Sequence, residues 1–222
     1  MRVSRDQARQ NRKRAVVASS SLFRERGVDS VGISDLMAEA GLTQGGFYKQ
    51  FSSKAELVEE ACSLALDDTM AFWNSYLKDS VEPRAAFVRA YLSDQHRDRV
   101  GDGCLLPALA GEARREPQAI REIFTRAIQL YADRLDQPID ARSPQSRAEA
   151  LSMLSEMVGA VLLARVSADP ALSRDILDSA FSHIVGVRLD VEAASEMSRS
   201  GAAPSVAGPS DEQNQSRNRR YV

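Results

Sequence analysis

From Asp6 to Arg26, the apolar residues Ala15, Val16, Ala18, Leu22 and Phe23 recur at intervals of three and four, and the run stops at Gly27. That interval places them on one side of an α-helix, and a glycine just past the last apolar position is a common way for a helix to end. The same period governs nearly the whole chain, and the two-residue alternation of a strand is missing. Apolar stripes of this kind are buried helix against helix, so the chain is expected to be all-α.

A second segment, Ile33 to Ala40, carries Ile33, Leu36, Met37 and Ala40 on one stripe and ends at Gly41. Thr43 is placed to cap a third, short helix reaching about Gln50. Ser52 or Ser53 caps a fourth, with Glu56 three residues after Ser53 as a capping-box partner, and this helix runs to about Lys78. Beyond it the pattern predicts helices over Pro83 to Asp98, over Cys104 to Arg115 with an interruption at Pro107, and from Pro117 to about Gln137. Pro138 and Pro144 mark a loop. Arg147 to Val166 is apolar on much of its surface, and a last helix covers Ala171 to about Ala194. From Ser195 the chain turns to Ser, Pro, Gly, Gln, Asn and Arg, too polar to bury a face, and is expected to be a disordered tail. Three regions result: 1–54, a module of short helices; 55–194, a larger helical domain; and 195–222, the tail.

Charge is divided unevenly among them. Residues 1–54 carry ten Lys/Arg against five Asp/Glu, a net +5, in a chain whose formal net charge is −2. A basic module on an acidic body suits a polyanionic partner. Cys62 and Cys104 fit no disulfide or zinc spacing, His96 and His183 have no metal-ligand spacing, and no apolar run approaches the ~20 residues of a membrane span. A cytoplasmic protein without cofactor or metal is expected. There is no phosphate-binding glycine loop after a strand, no His-Glu-x-x-His and no nucleophile elbow, so an enzyme is not expected.

The stretch Ala40-Gly-Leu-Thr-Gln-Gly-Gly-Phe-Tyr-Lys-Gln-Phe51 is costly as a plain helix, because interior glycine loses about 1 kcal/mol against alanine. Three short helices with a glycine turn between the second and third form a helix-turn-helix pattern, whose second helix lies in the major groove of DNA. In that setting the residues have uses. Gly45 and Gly46 let the backbone approach DNA closely, while Phe47 and Phe51 anchor the helix on Leu36, Leu22 and Phe23. Tyr48 can offer its hydroxyl to a phosphate, and Lys49 and Lys54 can neutralise phosphates. Thr43 and Gln44 remain to read base edges. Arg9, Arg12, Lys13 and Arg14 form a basic face ahead of the motif, of which Arg14 is taken as a DNA contact.

With Gly27, the helix from Ile33, the stretch just described and Ser53-Lys54-Ala-Glu-Leu57, the chain resembles the TetR family of bacterial transcriptional repressors. The start Gly103-Cys-Leu-Leu-Pro-Ala-Leu109 is similar to one subgroup. Gln50 departs from the histidine the family often has there, and the long polar tail is not a family feature. The resemblance implies a homodimer joined by the last two long helices of each subunit and a palindromic operator. It also implies an effector cavity in the larger domain, whose occupation separates the two recognition helices. Apolar stripes between Leu64 and Met157 suggest Trp73, Phe87, Tyr91, Cys104, Leu105, Phe124, Ile128 and Tyr131 as its lining, for a small apolar or aromatic compound. Cys104, at an expected helix N-terminus, is either a buried small hydrophobe or a sensor of electrophiles. The alternative function is a helical small-molecule carrier or enzyme without specific DNA binding.

Overall fold

The computed structural model describes residues 4–136 and 147–197. Among these the α-helices run α1 Arg5–Arg26, α2 Ile33–Glu39, α3 Lys54–Tyr76, α4 Pro83–Tyr91, α5 Asp94–Asp98, α6 Leu105–Ala113, α7 Gln118–Leu135, α8 Arg147–Val166 and α9 Pro170–Met197. Short 3₁₀ turns cover Gln44–Lys49 and Val100–Asp102, and no strand is present among the described residues. The all-α expectation holds.

Several boundaries differ from the sequence reading. The expected helix Pro83–Asp98 is two, because Ser93 breaks it: its hydroxyl accepts from the His96 N–H at 3.1 Å and donates to the Ala90 carbonyl at 2.8 Å. Pro107 does not interrupt α6. It lies in the first turn, where backbone N–H groups have no intrahelical acceptor to lose. The last helix continues through Met197, past the expected end at Ala194. The remainder of the expected tail, and the loop holding Pro138 and Pro144, lie outside the described residues.

Helix α1 packs along α3, while α7, α8 and α9 pack in sequence beside one another. The buried side chains of every layer, from Leu22 and Phe23 through Trp73 and Tyr131 to Val161 and Ile184, form one continuous core. Two hydrogen bonds fasten the end of α1 to the larger body. Val28 N–H donates to Glu112 Oε2 at 2.7 Å, and Arg24 Nη1 donates to the Gly103 carbonyl at 3.2 Å.

Candidate nucleic-acid interface and buried aromatic layer

The turn between α2 and the 3₁₀ segment is set by Gly41, whose φ of 64° lies in the left-handed region that disfavours other residues. Gly41 N–H donates to the Ala38 carbonyl at 2.9 Å and Leu42 N–H to the Met37 carbonyl at 2.8 Å, a Schellman ending for α2. Arg14 closes this turn from α1: its Nε donates to the Ala40 carbonyl at 3.0 Å and its Nη2 to the Gly41 carbonyl at 2.8 Å. Part of the donor capacity assigned to DNA is therefore spent on holding the turn.

The expected third helix is a 3₁₀ turn rather than an α-helix. Gly46 N–H reaches the Thr43 carbonyl at 2.9 Å and Gln50 N–H the Phe47 carbonyl at 2.8 Å, both three residues back. Two glycines weaken an already short α-helix, and the tighter turn still buries Phe47 and Phe51, with ring centroids 5.4 Å apart. Pinned from below, the segment presents Thr43, Gln44, Gly45, Tyr48 and Lys49 together as exposed residues. Tyr48 is 73% exposed although its ring meets Phe47 edge-on at 5.1 Å. A Cβ on Gly45 would meet nothing within 4 Å, whereas one on Gly46 would touch Met37 and Thr43 at 3.7 Å. Gly45 faces open space and Gly46 is half-buried.

The remaining cations of the basic module are placed differently. Lys54 Nζ donates to the Val28 carbonyl at 2.6 Å and is half-buried. Arg12 is ion-paired with Glu56 and Glu60 of α3 and lies over the Phe51 ring, 4.3 Å from its centroid. Ser53 Oγ accepts from Glu56 N–H at 3.2 Å, while Glu56 Oε2 accepts from the Ser52 backbone at 2.6 Å and its hydroxyl at 2.7 Å. These bonds to Ser52, then the Arg12 contact, hold the Glu56 carboxyl down to about 2. The capping box expected from Ser53 and Glu56 is present, reaching one residue further back, to Ser52.

In the larger body, seven of the eight expected pocket residues are buried: Trp73, Phe87, Tyr91, Cys104, Leu105, Phe124 and Tyr131. Ile128 is the exception at 42% exposed. Its helical phase is right, but a stripe is buried only where a neighbour covers it at that height, and no described residue does so there. Four of the buried residues form a layer of rings. Centroids of Trp73 and Phe87 are 4.7 Å apart, those of Phe87 and Tyr91 5.7 Å, and Tyr131 is 6.0 Å from both Phe87 and Tyr91. The Tyr91 and Tyr131 hydroxyls are buried against the Cys104 sulfur, and the Trp73 indole N–H is buried against the Tyr131 hydroxyl.

Cys104 caps α6, its Sγ accepting from Leu106 N–H at 3.4 Å, beside those two hydroxyls. Burial pushes its thiol up, against the smaller opposing effects of Tyr131, Tyr91 and the Leu106 N–H. The position matches a helix N-terminus, yet desolvation outweighs the dipole and keeps the thiol protonated. His96, which the polar run Asp94–Asp98 suggests is exposed, is buried. Its Nδ1 bonds the Tyr91 carbonyl at 2.7 Å and its Nε2 accepts from Cys104 N–H at 3.1 Å. No group of three or more metal-ligating side chains occurs among the described residues. No described helix is long and apolar enough to cross a membrane.

A helical body carrying a glycine-turned helix-turn-helix with an exposed polar edge is the architecture of a DNA-binding transcriptional regulator. Residues 16–61 match the family model of bacterial regulatory proteins of the tetR family. An HTH-type transcriptional regulator of Mycobacterium tuberculosis is 31% identical over 170 residues, a match spanning 71% of this chain and 86% of the relative. The chain therefore belongs to the TetR family of transcriptional regulators, and is not an enzyme. Its fold is similar to that of a TetR regulator from Chloroflexus aurantiacus, with a TM-score of 0.68 and 26% identity over 81% of this chain and 94% of that one. It is also similar to Escherichia coli NemR in its reduced form, with a TM-score of 0.67 and 19% identity over 79% and 95%.

Proposed function

We propose that this regulator is a homodimeric repressor that binds a palindromic operator and is released from it by a small effector. The observation that carries the DNA reading is the edge Thr43, Gln44, Gly45, Tyr48 and Lys49, exposed together on a turn whose other side is locked by Phe47 and Phe51. Gln44 and Thr43 are suited to base edges, Lys49 and Tyr48 to phosphates, and Gly45 admits the close approach of a groove wall. Gly46, Arg14 and Lys54 support this edge from behind rather than touching DNA first.

The dimer reading rests on α8 and α9. Leu162, Leu163, Val166 and Leu172 are exposed there, beside an apolar groove lined by Gly159, Ala160, Leu163, Leu172, Ile176 and Ala180. Exposed apolar surface of this extent calls for a partner, and a second copy of the same two helices gives a closed two-fold contact. Two recognition edges then meet half-sites about one helical turn of DNA apart. The effector acts from the layer around Trp73, Tyr91, Cys104 and Tyr131. A ligand with equal affinity for both states shifts nothing, so it must favour the DNA-free state.

Selection of binding sites from random duplexes, followed by footprinting, tests the reading. A two-fold symmetric site protected by a dimer supports it; protection of one asymmetric half-site by a monomer, or binding without sequence preference, overturns it.

A further inference from the structure

Val28, just past the glycine that ends α1, has both of its backbone polar groups held by side chains from distant parts of the chain. Its N–H donates to Glu112 Oε2 in the last turn of α6 at 2.7 Å, and its carbonyl accepts from Lys54 Nζ at the start of α3 at 2.6 Å. Gly27 makes room for the carboxylate: its φ is 83°, and a Cβ there would lie 2.5 Å from Glu112 Oε1. Val28 is buried, so water is a poor substitute for that carboxylate.

A second bond acts at the other end of the same helix. Arg24, four residues before Val28, donates through Nη1 to the carbonyl of Gly103, which directly precedes Cys104, the N-cap of α6. A single hydrogen bond is a pivot. Two of them, at opposite ends of a nine-residue helix, fix direction as well as position. Helix α1 carries that direction to the recognition turn, because Arg14 of the same helix holds the Ala40 and Gly41 carbonyls. Helix α3 also joins the two regions, but the apolar side chains through which α1 packs on it hold by burial, which is non-directional. The pose of Thr43, Gln44, Gly45, Tyr48 and Lys49 relative to the larger body therefore follows α6.

We propose that Glu112 is a positioning residue: its carboxylate on the Val28 N–H sets the angle at which each subunit holds its recognition edge, and with it the half-site spacing that the dimer accepts. Glu112 is not on the exposed edge and acts through Val28 and α1. In a two-fold dimer each edge turns with its own α1, so play at the two Val28 joints adds up at the operator as a change in separation. With the joint closed one separation fits; with it open a range of separations is reached at similar cost. This inference rests on the dimeric operator-binding reading above and goes beyond it, assigning spacing selectivity to a residue outside the DNA-contacting edge.

Full-length wild type, Glu112→Ala, Glu112→Asp and Glu112→Gln are titrated against the selected operator, against versions with one or two base pairs added or removed between the half-sites, and against a single half-site. The quantity read is the ratio of affinities between spacings, from which a uniform effect of the altered charge or stability cancels. Wild type should favour its selected spacing by about tenfold or more, and Glu112→Ala by about threefold or less with its half-site affinity unchanged. The aspartate variant is one methylene short of the Val28 N–H and should behave like the alanine variant. The glutamine variant keeps an acceptor oxygen at the same reach and should keep the wild-type ratio. Hydrogen exchange of the Val28 amide in the DNA-free protein should be about tenfold or more faster in the alanine and aspartate variants than in wild type and the glutamine variant. The aspartate and glutamine variants carry the test if the alanine variant does not fold. A wild-type spacing ratio in the alanine or aspartate variant, a lost ratio in the glutamine variant, or Val28 exchange equal in all four proteins overturns the proposal and leaves the dimeric repressor reading standing. A wild type indifferent to spacing overturns both.

Discussion

The backbone N–H of Cys104 donates to Nε2 of His96 at 3.1 Å, which fixes the imidazole proton on Nδ1, where it is donated to the Tyr91 carbonyl at 2.7 Å. One neutral ring thus ties the end of α4 to the start of α6. Burial, with a smaller contribution from Arg165, lowers the His96 pKa to about 4, while the Tyr91 carbonyl acts the other way.

The sign of the pH effect follows. A histidine with an unfolded value of about 6.5 takes up its proton before the folded one does, so stability is complete above pH 6.5 and falls as pH drops toward 4. The total loss is on the order of 3 kcal/mol. Urea denaturation of wild type and His96→Gln between pH 7 and 4.5 checks this: the wild-type slope should flatten in the variant. A wild-type stability independent of pH over that range contradicts it.

Gln44 and Lys49 share the exposed edge but should fail differently. Gln44→Ala is expected to cost about 1–3 kcal/mol on the selected operator and less on unrelated sequences. Lys49→Ala should weaken binding to all duplexes alike and reduce the salt slope by about one. Binding isotherms at several salt concentrations separate the two.

Lys54 is expected to behave as a structural residue. With its ammonium on the Val28 carbonyl, Lys54→Met should lower stability by about 1–2 kcal/mol and leave the salt slope of DNA binding close to wild type. A slope reduced as much as by Lys49→Ala would return Lys54 to the phosphate contacts.

Phe47→Ala removes a fully buried ring that holds the 3₁₀ turn against α2 and the core, and about 3–5 kcal/mol of stability should go with it. Hydrogen exchange should show Gln50 and Phe51 amides losing protection first, since both donate to the Phe47 carbonyl.

Leu163→Asp places a charge on the apolar α8–α9 face, where Leu163 is 56% exposed in the single chain. The variant should keep its helical content and become monomeric by light scattering, with operator affinity reduced by a hundredfold or more, on the order of the avidity a linked second half-site supplies. A variant that remains dimeric places the interface elsewhere.

The local order of the chain was legible from residues close together in sequence. Helical period, Gly27, Gly41, Ser53 and Glu56 act over a few residues, and each places a start or a stop where the structure has one. The glycine-aromatic run at 45–51 announced its helix-turn-helix because its backbone cost makes sense only beside a partner surface. The break at Ser93 depends equally on local bonds, yet its three-residue reach competes with a helical pattern that runs straight through it.

Tertiary structure alone decided which cations are free. Arg12, Arg14 and Lys54 look alike in sequence to Lys49, but each meets an acceptor 26 or more residues away: Glu56 and Glu60, Ala40 and Gly41, and Val28. It also buried His96 and exposed Ile128, against polarity in one case and phase in the other, because burial depends on what packs at that height of a helix. The convergence of Trp73, Tyr91 and Tyr131 on Cys104 belongs here too. Helical period says which side of α3, α4 and α7 faces inward, but only packing sets which inward residues meet, and so brings two hydroxyls and an indole N–H together around one sulfur.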